Sequence, residues 1–196
     1  MEGTDPVNKK IAAAVSGGAV LVLALAGCSS DDGNNDKLNA WAKDVCDAVQ
    51  PQAKRIEAAN AAIQKQTSDN STPADVKSTD SQAFKDMSEA YKAIGDAVAK
   101  AGAPDVDNGK TKQQNAVKEL NSISTSYGGL QKQVSELDIK DQAKFAEGLK
   151  GIATQLDKLS QSGNDALKKL EEGDVGKAMA EQKSCQSATK APTGTG

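Results

Sequence analysis

Histidine is absent from the chain, and with it go the commonest general base near neutral pH and the commonest transition-metal ligand. Aromatic side chains are scarce: Trp41, Phe84, Tyr91, Tyr127 and Phe145 complete the set. Ala, Lys, Gln, Asp, Glu and Ser dominate instead, a balance suited to helices rather than sheets, and strand signals are missing throughout. Nor is there an excess of positive charge, the formal net charge being -3. A mildly acidic surface of mixed sign argues against nucleic acid or anionic lipid as an electrostatically attracted partner.

What is present begins with a leader. Lys9 and Lys10 precede an uncharged stretch from Ile11 to Gly27, rich in Ala, Val and Leu, that ends in Leu25-Ala26-Gly27-Cys28. A basic segment, an apolar segment and small residues before a cut form a secretory signal. Its last four residues resemble the bacterial lipobox, in which the cysteine is acylated and becomes the mature N-terminus. The rival reading is an uncleaved membrane span, but the stretch falls short of the roughly 20 residues a span prefers. Glu2 and Asp5 put acid where such a leader is normally basic, whereas a start at Val7 would give a conventional one. Residues 1–27 are therefore expected to be a lipoprotein signal peptide, and Cys28 the site of lipidation. Residues 28–35, composed of Ser, Asp, Gly and Asn after the cysteine, read as a tether without anything to bury, and 191–196 as a disordered tail.

From residue 36 to 190 the apolar positions are periodic. Leu38, Ala42, Val45, Val49, Ile56, Ala59 and Ile63 form one stripe, with Pro51 expected to kink its helix. Phe84, Met87, Tyr91, Ile94, Val98 and Ala101 form a second, introduced by Thr72-Pro73-Ala74-Asp75, which offers an N-cap, a proline in the first turn and an acid to match the helix dipole. The loop before it is read as Gln66 to Ser71. A third stripe runs from Val117 through Leu120, Ile123, Tyr127, Leu130 and Val134 to Leu137. The fourth runs from Phe145 through Leu149, Ile152, Leu156, Leu159, Gly163 and Leu167 to Leu170. Gly173 reads as a stop, and Asp174 as the cap of a short helix leading toward Cys185. The expected fold is all-α: an up-down-up-down four-helix bundle with a short C-terminal helix, monomeric, against the alternative of a coiled coil between chains.

Outside the cytoplasm the two remaining cysteines, Cys46 and Cys185, are expected to form a disulfide. The fourth helix of such a bundle ends beside the start of the first, so a segment turning back after Gly173 can bring Cys185 to Cys46. A redox-active or metal-binding pair lacks the required spacing and any histidine.

Several constellations fall short of a site. Asp105-Val-Asp107-Asn-Gly109 begins like a calcium loop, but Gly109 stands at the fifth position and Ala116 at the twelfth, where a bidentate Glu is needed. Gly173-Asp174-Val175-Gly176-Lys177 lacks the full phosphate-loop spacing. Asp31-Asp32 and Glu171-Glu172 are adjacent pairs whose side chains point apart. Gly128, Gly129, Gly148 and Gly151 each cost about 1 kcal/mol inside a helix, which invites either close helix approach or a pocket. No catalytic residue, cofactor or metal ligand is assigned.

With the lipobox, Trp41-Ala-Lys-Asp-Val-Cys46-Asp-Ala-Val-Gln-Pro51 and the Gly173 to Cys185 ending in view, the chain resembles the small secreted lipoproteins of actinobacteria. The resemblance implies location and architecture only. It suits a non-enzymatic binding module held to the membrane by its lipid and facing an envelope protein, glycan or small ligand. An enzyme or accessory acting on envelope polymers, or a structural spacer, are the alternatives.

Overall fold

A computed structural model describes residues 32–66, 71–162 and 165–188, with side chains over 35–66, 71–159 and 167–186. The signal stretch, Cys28, Asp31, most of the first interhelical loop, Gly163 and the 191–196 tail lie outside the described residues. Seven helices and no strand are found among those described: α1 (Asp32–Lys65), α2 (Pro73–Ala101), α3 (Gly109–Glu136), α4 (Gln142–Ser162), α5 (Asp165–Leu170), α6 (Asp174–Glu181) and α7 (Lys183–Ala188). The all-α expectation holds.

Local signals set the boundaries of α2. Thr72 caps its N-terminus: the Asp75 backbone N–H donates to Thr72 Oγ1 at 3.2 Å, while the Thr72 N–H donates to the Asp75 carboxylate at 3.3 Å. Two otherwise orphaned donors are thereby satisfied, with Pro73 placed where it sacrifices no helical hydrogen bond. At the other end Gly102 adopts φ +77°, a backbone state that other residues rarely enter. Its carbonyl accepts the Trp41 indole N–H at 2.9 Å, tying α1 to the end of α2.

The first helix contains Pro51 and differs from expectation at its start: it begins at Asp32, so four residues read as tether are helical. Once Leu38, Trp41, Ala42 and Val45 are packed, each residue added to the helix end gains a hydrogen bond without a new nucleation cost.

Two apolar clusters establish the antiparallel arrangement. One joins the first half of α1 (Leu38, Trp41, Ala42, Val45) to the end of α2 (Ile94, Val98), the start of α3 (Ala116, Leu120), Leu170 of α5, and Val175 and Ala178 of α6. The other joins Ala59 of α1 to the start of α2 (Ala83, Phe84, Met87), the end of α3 (Leu130, Val134) and Ile152 of α4. Early residues of one helix thus meet late residues of the next, as four alternating columns require. The fourth column is described in two pieces, α4 and α5.

The α2–α3 contact is the most extensive between helices, and that of α4 with α3 is smaller. Small side chains take part in it. Ser88 Oγ donates to the Ser124 carbonyl and Ser124 Oγ donates back to the Ser88 carbonyl, both at 2.8 Å. The mid-helix glycines sort by their surroundings. A Cβ on Gly148 would come within 2.3 Å of the Leu137 Cδ2, whereas one on Gly129 or Gly151 meets nothing within 4 Å. Close approach therefore accounts for Gly148 but not for the other two. Gly129→Ala is expected to stabilise the fold by up to about 1 kcal/mol through helix propensity, and Gly148→Ala to give less or reverse sign; thermal melts of the two variants check this.

Candidate functional site

The calcium-like segment and the glycine-rich stop, far apart in sequence, meet in space. Asp105, Val106, Asp107, Lys112, Glu172, Gly173 and Asp174, with Asn35 and Leu38, line a cleft of about 510 Å³ at the end of the bundle where α1 begins. The start of α3 and the start of α6 both open onto it. Neither has a side-chain cap: Asn108, before α3, adopts φ +59°, and Gly173, before α6, φ +74°. Carboxylates beside such ends offset the positive pole of the helix. Lysines pair with two of these acids: Lys177 bonds Asp174 at 2.9 Å, and Lys37 stands 3.8 Å from Asp105. Among the described residues no three carboxylates or thiols are grouped to hold a metal ion.

The glycines of these two motifs have a steric cause instead. A Cβ at Gly109 would lie 2.0 Å from the Pro104 carbonyl oxygen, and one at Gly176 would lie 1.8 Å from that of Glu171. Backbone atoms cannot swing away as a side chain can, so both turns require glycine to close. That requirement is enough to explain both glycines without invoking a ligand.

Cys46 and Cys185 are joined, with Cα atoms 5.0 Å apart across 139 residues of sequence. Cys46 is completely buried on α1, while Cys185 on α7 is half-buried. Beside them Lys43 Nζ donates to Asp47 at 2.6 Å and Ser184 Oγ donates to the other Asp47 oxygen at 2.7 Å. The hydrogen bond from Lys43, then that from Ser184, holds the Asp47 carboxyl below its ordinary value.

The aromatic residues are core rather than a groove lining. Phe84 and Phe145 are buried, and Tyr91 stacks on Tyr127 with centroids 5.5 Å apart. Burial, and then the neighbouring Tyr91, push the Tyr127 hydroxyl up to about 12.

Two polar features were not singled out from sequence. Arg55 of α1 bridges to Asp86 at 2.6 Å and also to Glu89, both on α2. Asp80 lies buried on the core side of α2, its Oδ1 without a hydrogen-bond partner among the described residues. It stands one turn before Phe84, so extending the second stripe backward by four residues would have flagged it. Burial raises its pKa above the ordinary 3.8. A carboxyl raised on folding contributes stability that is fully present below its unfolded pKa and is lost as pH rises through the folded value. Asp80→Asn is therefore expected to be more stable than the parent at pH 7 by ~1 kcal/mol. The gap should close in acid below the unfolded pKa, as melts across that pH range would register.

Among the described residues no helix is long and apolar enough to cross a membrane. The chain matches no family model, no curated protein and no solved structure.

Proposed function

We propose that this chain is a membrane-anchored extracytoplasmic lipoprotein of the small actinobacterial kind, acylated on Cys28, whose helical bundle is a non-enzymatic binding module of the cell envelope. The observation that carries this reading is the bond between Cys46 and Cys185 in a chain whose leader ends in Leu-Ala-Gly-Cys28. A disulfide persists where thiol reductants are scarce, and a lipobox-like leader delivers a domain to such a space. Either feature alone has other uses; together they agree on an address.

The absence of an assigned reaction follows from how the charged groups are used. At the α1–α3–α6 end Asp105 and Asp174 are paired with Lys37 and Lys177, and Arg55 is occupied by Asp86 and Glu89. Such pairing stabilises a surface rather than poising an acid and a base across a cleft. The partner class is an envelope protein, glycan or small ligand.

Mass spectrometry of the N-terminal peptide, taken from the membrane fraction of an expressing actinobacterium, tests the address. Cys28 as first residue, carrying diacylglycerol, is the expected result. An intact leader, or an unmodified sulfur at that position, would overturn it.

A further inference from the structure

The segment after Gly173 is attached to the bundle differently from the rest of the chain. The second apolar cluster is held by large buried groups such as Phe84 and Met87, and α3 contributes Leu120 to the first. By contrast α6 inserts two fully or nearly buried side chains, Val175 and Ala178, with Met179 half-buried at the edge. Its eight residues and the six of α7 are well below the roughly 12–15 needed for a helix to persist alone in water. Helices this short are formed because they are docked. The segment's ties to α1 include the Ser184–Asp47 hydrogen bond, which lies at an exposed position, and the disulfide. A pivot is also present: Gly173 at φ +74° joins α5 to α6.

We propose that α6 and α7 form a redox-releasable strap, closed over α1 by the Cys46–Cys185 bond and opened when a dithiol reductant reduces it. The route follows from the burial of the two cysteines. A thiolate of the dithiol attacks the sulfur of Cys185, the half-buried partner; the S–S bond breaks, and Cys46 leaves and takes up a proton. The second thiol of the reductant then displaces Cys185 from the mixed disulfide. The dithiol ends as a disulfide, having given two electrons, and the protein holds two thiols. With the strap away, Ala42, Val45, Cys46 and Val49 of α1 lose their cover, and an apolar helical face becomes available. In an oxidising space the closed form is the resting state, so a dithiol oxidoreductase is the class of partner that would open it.

Hydrogen exchange read by mass spectrometry tests this on the full chain, comparing the oxidised protein, the protein reduced with dithiothreitol, and the Cys46→Ala/Cys185→Ala variant. On opening, peptides within 174–188 are expected to exchange fully at the shortest labelling time in the reduced protein and in the variant. Peptides within 84–98 and 116–134 are expected to keep their protection at that time. Retained protection of 174–188 after reduction would overturn the proposal, because the strap would then be held without its bond. Simultaneous loss of protection in all three regions would overturn it as well, because the bond would then support the whole bundle rather than a strap.

Discussion

The Cys46→Ala/Cys185→Ala variant is expected to unfold at a free energy lower by about 5 kcal/mol than the oxidised parent. The figure comes from the length of chain the bond closes. With the two cysteines 139 positions apart in sequence, the crosslink removes a large share of the conformations open to the unfolded chain, and in the chain-entropy model this cost grows with the logarithm of the loop. A domain of this size has roughly 5–15 kcal/mol in hand, so the variant keeps a folded bundle with a reduced margin. Urea unfolding followed by circular dichroism, on parent and variant side by side, gives the difference directly. A loss under about 1 kcal/mol would mean that the unfolded chain was already confined without the bond.

The second large effect lies at the other end of the molecule. Phe84→Ala is expected to cost about 3–5 kcal/mol. Phe84 is 2% exposed, in one cluster with Met87, Leu130, Val134 and Ile152, and its ring centroid lies 6.1 Å from that of Tyr127. Truncation removes the transfer energy of the ring and leaves a void that the surrounding helices can fill only in part. The matched control is Ile139→Ala. At 42% exposure, Ile139 is the one large apolar side chain among those described that stands out in solvent, and its loss should change stability by less than about 0.5 kcal/mol. Equal effects in the two variants would show that the second cluster is not packed as described.

Much of this architecture was legible from residue spacing, for a physical reason: a helix face repeats with the period of the backbone, so a stripe at three-four steps reports the buried side whatever it packs against. Leu38 to Ile63, Phe84 to Ala101 and Val117 to Leu137 therefore marked α1, α2 and α3 correctly. Thr72 to Asp75 marked the start of α2 because capping is a contact between residues three apart. The pairing of Cys46 with Cys185 followed from a count of cysteines and a topology. Less visible was whatever depends on a neighbour far along the chain. The reciprocal Ser88–Ser124 bonds needed the register of two facing helices. Gly109 and Gly176 looked like fragments of ligand loops because sequence shows the glycine but not the carbonyl that forbids anything larger. The meeting of their two turns in one cleft was likewise a matter of topology, which no local window contains.

The paired serine hydroxyls also limit how this molecule can move. Sliding α3 past α2 by one turn would pull both donors off their carbonyls at once, and would carry the apolar groups on either side out of step. Two helices pinned that way behave as a keel that does not ratchet. Rearrangement is then left to the members docked around it, α4 and the C-terminal pair.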